Sequence, residues 1–70
     1  MPRIPGVNHL RAIGALEKVG FRVIRQGKHI TMSNDVIRIQ IPRQNPIKPV
    51  TMGAIVSKAG LTVEQFRELL

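Results

Sequence analysis

Between Ile37 and Ile41 the chain alternates without a break: Ile37, Ile39 and Ile41 are separated by Arg38 and Gln40. Successive side chains of a strand point to opposite faces, so this segment demands a sheet with one dry face and one wet face. Two neighbouring segments supply partners. Phe21 to Gln26 puts Phe21 and Val23 inward and Arg22 and Gln26 outward, and His29 to Ser33 puts Ile30 and Met32 inward and His29 and Thr31 outward. Gly27 marks a turn between the first two, and Ser33-Asn34-Asp35, whose side chains can bond their own backbone, marks a turn before the strand Val36 to Ile41. The expected sheet is a three-stranded antiparallel meander. Its polar face shows Arg22, Gln26, His29, Thr31, Arg38 and Gln40.

Helical signals flank this sheet. Asn8 is placed to cap a helix whose apolar positions are Leu10, Ile13, Leu16 and Val19, with Ala12 between, and Gly20 is its expected left-handed stop. Gly14 weakens that helix by about 1 kcal/mol relative to alanine unless a close packing contact requires it. After a loop stiffened by Pro42, Pro46 and Pro49, Thr51 is expected to cap a helix from Met52 to Ala59, burying Met52, Ile55, Val56 and Ala59 and ending at Gly60. Thr62-Val63-Glu64-Gln65 is a capping box opening a last helix through Val63, Phe66, Leu69 and Leu70. Met1 to Val7, with Pro2, Pro5 and Gly6, is an extended lead-in. The fold class expected is α+β: one domain over 1–70, helix, three-stranded antiparallel sheet and C-terminal helices gathered on the apolar face.

A chain of 70 residues buries only about 60% of its unfolded surface, so most of its hydrophobic residues go to one core. Charge is unbalanced: eleven Lys and Arg face four Asp and Glu, a net charge of +7. Between Lys18 and Lys58 the only acid is Asp35. That concentration points to a polyanion, nucleic acid first. With Phe21 and Phe66 as the only aromatics, a single-strand binder built on stacking platforms is not expected. There is no cysteine, hence no disulfide or thiolate metal site, and the two histidines lack a metal-binding spacing, so no metal and no cofactor are expected. No apolar run approaches the ~20 residues of a membrane span and no signal-peptide pattern opens the chain, so a cytoplasmic protein with no membrane partner is expected.

His29 is the candidate for chemistry. An imidazole exchanges protons near neutral pH, and RNA offers a 2′-hydroxyl that attacks the adjacent phosphorus once deprotonated. Lys28 and Arg38 are the nearby cations able to stabilise charge on the phosphoryl oxygens. Arg43 and Lys48, with Lys58, form a second basic group on a rigid loop near a helix start, a suitable phosphate clamp. His9, at the start of the first helix, falls outside the strand cluster and is read as a surface residue. Ser33 and Ser57 have no serine-hydrolase context.

Several stretches together resemble a family. These are Leu16-Glu17-Lys18-Val19-Gly20-Phe21-Arg22-Val23-Ile24-Arg25-Gln26, the glycine turn closing on His29, Ile41-Pro42-Arg43, Ile47-Lys48-Pro49 and Ala54-Ile55-Val56-Ser57-Lys58-Ala59-Gly60-Leu61-Thr62, preceded by Met1-Pro2-Arg3-Ile4-Pro5. In this order they resemble the HicA-type mRNA interferase toxins over nearly the whole chain. The resemblance implies a fold like a double-stranded-RNA-binding domain and the toxin role of a type II toxin–antitoxin system. It implies endonucleolytic cleavage of mRNA with one histidine, matching His29, as general acid/base, and a HicB-type antitoxin as protein partner. Lys28, Arg38, Arg43 and Lys48 are then the expected RNA contacts. Two positions depart from the family pattern: Gly27-Lys28-His29 stands where Gly-Ser-His is usual, and Gln44 stands where a histidine is common. The alternative expectation is a non-catalytic RNA-binding module of the same fold.

Overall fold

The computed structural model describes residues 6–70; the proline-bearing opening Met1-Pro2-Arg3-Ile4-Pro5 lies outside the described residues. Helix α1 (His9–Glu17) is followed by β1 (Arg22–Gln26), β2 (His29–Ser33), β3 (Arg38–Pro42), α2 (Pro49–Lys58) and α3 (Val63–Leu69). The strands form one antiparallel sheet in the order β1-β2-β3. The fold is a small α+β domain of three helices and a three-stranded antiparallel sheet.

Local chemistry accounts for most of the boundaries. The Asn8 side chain accepts from the Leu10 amide at 2.8 Å and opens α1. Gly20, at φ 96°, ends it: the Phe21 amide bonds the Leu16 carbonyl and the Gly20 amide the Glu17 carbonyl, both at 3.2 Å, the paired bonds of a Schellman stop. Gly60, at φ 80°, repeats the arrangement after α2, with Leu61 to Val56 and Gly60 to Ser57. Both bonds of the capping box between Thr62 and Gln65 are made. In the turn before β3, Asn34 Oδ1 accepts from the amides of Val36 and Ile37, while the Asp35 amide donates to Ser33 Oγ.

Three expectations are corrected. Helix α2 starts at Pro49 with Lys48 at the cap position, and Thr51 lies inside it. Proline at the first helical position has its φ already set and no amide to leave unpaired, so the loop's last proline belongs to the helix. In α1 the buried stripe is Ala12, Ala15 and Leu16, with Leu10 66% exposed. Small side chains let the helix approach the sheet, and they outweigh the larger but misplaced Leu10. Gly14 is required by no packing contact, since a Cβ built there meets nothing within 4 Å.

The third correction concerns β1. Its pairing with β2 runs Arg22 to Ser33 and Val23 to Met32, then Arg25 to Thr31 and Gln26 to Ile30, with a bulge at Ile24. A bulge inserts one residue and reverses the faces beyond it. Arg25 therefore joins Thr31 on the polar face, and Gln26 turns to the side of Ile30.

The core is continuous. Ile30, Met32, Ile39 and Ile41 from the sheet meet Ala12, Ala15 and Leu16 of α1, Met52, Ile55, Val56 and Ala59 around α2, and Phe66 of α3. Helix α1 packs against β1, β3 and α3, whereas α2 packs against β3 and α3. Val7 and Ile47, both buried, form an antiparallel bridge that ties the start of the described chain to the proline loop. The Asn45–Pro46 peptide in that loop is cis.

Candidate nucleic-acid interface

The polar face of the sheet is arranged in rows set by cross-strand pairing, because directly opposed residues point the same way. His29 opposes Pro42, Thr31 opposes Gln40 and Ser33 opposes Arg38; β1 adds Arg25 beside Thr31 and Arg22 beside Ser33. His29 is exposed, at the first position of β2, while its neighbour Ile30 is 4% exposed. The alternation read from the sequence thus puts this imidazole in solvent.

Two cations stand at that end. Lys28 is exposed in the two-residue turn immediately before His29. Arg43 follows Pro42, the partner of His29, and its Nε donates to the Gly27 carbonyl at 3.1 Å. That bond uses one guanidinium N–H and leaves the terminal nitrogens to a ligand. Gly27 closes the turn through its own amide, which donates to the His29 carbonyl at 3.1 Å. A Cβ at Gly27 would meet only that carbonyl, at 4.0 Å.

Arg38 is not part of this cluster. It opposes Ser33, four residues from His29 along β2, or about 13 Å at the rise of a strand. Lys48 caps α2 on the far side of the proline loop from Arg43. The His29 end of the sheet therefore holds Lys28 and Arg43, while Arg38 lies four residues along the polar face and Lys48 at the start of α2.

His9 has more structure around it than its sequence position indicates. Its Nδ1 lies 3.3 Å from the Gln44 carbonyl, which also accepts from the His9 amide at 3.2 Å. The Gln44 amide in turn donates to the Pro42 carbonyl at 2.8 Å. His9 is thus fastened to the segment that leaves the sheet opposite His29, and it serves as an anchor for that segment.

Charge pairing leaves the face positive. Arg22 and Asp35 form a two-pronged ion pair, one arm measuring 3.2 Å. The guanidinium, first by hydrogen bonding and then by charge, holds the Asp35 carboxyl below its ordinary range, and Asp35 raises Arg22 in return. This is the only salt bridge among the described residues. Asp35 is therefore occupied with Arg22, and no other carboxylate is paired to Lys28, Arg25, Arg38 or Arg43 among the described residues.

A groove of about 620 Å³ runs between the polar face and α2. Arg25, Thr31, Arg38 and Gln40, with Ile24 and Ile39, line it from the sheet, and Thr51 and Lys58, with Ala54 and Ile55, from the helix. Arg25 was not among the expected contacts, and Lys58 was expected beside Arg43 and Lys48 rather than across from Arg38. Their signals were faint: a charged residue breaking the alternation after Val23-Ile24, and the helical spacing of Thr51, Ala54 and Lys58 along one stripe. His29 lies beyond the groove's end. No group of three His, Cys, Asp or Glu that could hold a metal is present among the described residues, and no helix among them is long and apolar enough to cross a membrane.

No protein-family model, no curated protein and no solved structure matches this chain.

Proposed function

We propose that this chain is an endoribonuclease, the toxin of a HicA-type toxin–antitoxin pair, and that it cleaves mRNA with His29 as its single general acid/base. One observation carries the reading: an exposed imidazole at the first position of β2, next in the chain to Lys28 and opposite Pro42, whose neighbour Arg43 is bonded to the adjoining turn. The order of helix, three antiparallel strands and helical C-terminus supports a domain of the double-stranded-RNA-binding kind.

In the proposed reaction the His29 imidazole takes the proton of a 2′-hydroxyl. The freed oxygen attacks the adjacent phosphorus, and the bond from phosphorus to the 5′-oxygen breaks. A 2′,3′-cyclic phosphate and a 5′-hydroxyl result. Attack and departure occur on opposite sides of phosphorus, so the imidazolium acts as acid through a water: it gives its proton to that water, which protonates the departing 5′-oxygen, and neutral His29 is restored. Arg43 and Lys28 stabilise the charge that builds on the phosphoryl oxygens. Arg38 and Lys48 hold flanking phosphates, which positions the strand without reading its bases.

A HicB-type antitoxin is the proposed protein partner. An acidic surface laid over Lys28 and His29 would be steered there by the net charge of +7 and would exclude RNA. Hydrogen exchange on a co-expressed complex tests this: protection should cover Lys28 to Thr31, and protection confined to α3 with cleavage undiminished refutes it.

One observation favours the second reading, a non-catalytic RNA-binding module. No side-chain hydrogen bond among the described residues orients the His29 ring, whereas the His9 ring has one. Incubating labelled RNA with the protein and with its His29→Ala variant separates the two. Cleavage by the first alone supports the nuclease; binding by both with cleavage by neither supports the module.

A further inference from the structure

The groove between the polar sheet face and α2 touches the proposed reaction only through Arg38, and its charged lining is wholly cationic. Arg25, Arg38 and Lys58 converge on it, with Thr31, Gln40 and Thr51 adding hydroxyl and amide groups between them. We propose that this groove is a subsite for the phosphodiester backbone of a single-stranded RNA, holding the part of the strand a few nucleotides from the reacting bond. The proposal rests on the RNA reading above, keeps its assignment of Arg38 to a flanking phosphate, and extends it to Arg25 and Lys58, which that reading does not use.

Size selects one strand over two. A volume of about 620 Å³ is that of a small-molecule pocket, whereas duplex RNA is held across successive grooves by shape. Chemistry selects the backbone over the bases. Both aromatic residues, Phe21 and Phe66, are buried in the core, so no ring is left for stacking; beside the apolar Ile24, Ile39, Ala54 and Ile55, the groove offers three cations and three hydrogen-bonding side chains suited to phosphate and ribose.

Position makes the groove continuous with His29. Thr31 stands two residues along β2 on the same face, about 7 Å away, and the Arg38 row about 13 Å away. A strand with its reacting phosphate at His29 therefore runs into the groove without leaving the protein. The Arg22–Asp35 pair lies in the same row as Arg38, and the carboxylate there ends the cationic track. It follows that the enzyme prefers an RNA extended on one side of the cut over a dinucleotide.

The test uses the full chain carrying His29→Ala, so that RNA stays intact, and a fluorescein-labelled single-stranded oligoribonucleotide read by anisotropy. Adding Arg25→Gln with Lys58→Gln should raise Kd at least tenfold and flatten the dependence of log affinity on log salt by about 1.4, the contribution of two single-strand phosphate contacts. Arg11→Gln with Arg67→Gln removes the same charge from α1 and α3 and should change both quantities less. Amide shifts should gather at Thr31, Gln40, Thr51 and Lys58 in the chain with its groove intact, a readout that survives any folding defect of the groove variants. Equal losses from the two pairs of substitutions, or shifts absent from those amides, overturn the proposal. Poly-glutamate displacing the RNA at lower concentration than unlabelled RNA does would also overturn it, in favour of an acidic protein segment. Groove binding without cleavage by the native chain sinks the nuclease and leaves the subsite; cleavage without groove shifts does the reverse.

Discussion

The Nε–H of Arg43 donates to the carbonyl oxygen of Gly27 over 3.1 Å, joining the residue after β3 to the turn before β2. Because Pro42 already opposes His29 in the sheet, this bond fastens a guanidinium to the same end of the domain as the exposed imidazole. In the proposed reaction this end of the domain supplies both the proton-transfer group and a charge-stabilising cation, and each can be tested by substitution.

His29→Ala should abolish RNA cleavage and leave the fold intact. The side chain is exposed, so truncation opens no core cavity and stability should stay within about 0.5 kcal/mol. Turnover and thermal midpoint measured together decide: cleavage at the native rate removes the catalytic role, and a collapsed midpoint makes the residue structural.

Arg43→Ala should lower kcat by about a hundredfold, the size of effect seen when one donor to a developing oxyanion is lost. Arg43→Lys restores the charge but neither the Nε bond nor the planar fork, and its cleavage rate should remain roughly tenfold below that of the native chain. Full activity in the lysine variant would show that charge alone is used there.

RNA binding should weaken steeply with salt. A single strand met by Lys28, Arg38, Arg43 and Lys48 gives a slope of log affinity on log salt near −3, steepening to about −4 if Arg25 and Lys58 also engage. Neutralising Arg38, Arg43 and Lys48 together should flatten it, and an unchanged slope would put the RNA elsewhere on the protein.

Asp35→Asn should release Arg22 to the RNA and steepen that slope by about 0.7, while asparagine tolerates the left-handed backbone of this position, φ 75°. The native carboxyl is held below its ordinary range. Its contribution to stability is therefore present above the unfolded carboxylate's pKa and is lost as pH falls through the lower, folded one. The stability difference between native protein and variant should thus persist at neutral pH and vanish in strong acid. A difference that grows on acidification would contradict the ion pair.

Gly14→Ala should stabilise the domain by about 0.5–1 kcal/mol, because the glycine lies within α1, has open space around its Cα and has no positive φ. For a domain of this size that is several degrees in thermal midpoint. A lower midpoint would reveal a packing role for Gly14 that the geometry does not contain.

What the sequence determined by itself was local. The alternation of Ile37, Ile39 and Ile41 with Arg38 and Gln40, the capping box of Thr62 and Gln65, the stops at Gly20 and Gly60 and the outward His29 all depend on residues a few positions apart. Backbone geometry then leaves few choices. Tertiary structure decided what those elements face. Strict alternation would have sent Arg25 into the core; the sheet instead accepts a bulge at Ile24, since a ladder broken at an edge strand costs less than a buried guanidinium. Packing also turned Leu10 outward so that Ala12 and Ala15 could approach the sheet, and it set the Lys58 stripe of α2 beside Arg38. The Arg43–Gly27 bond spans sixteen residues of sequence. No local pattern announces it, because only the pairing of β2 with β3 brings its two ends together.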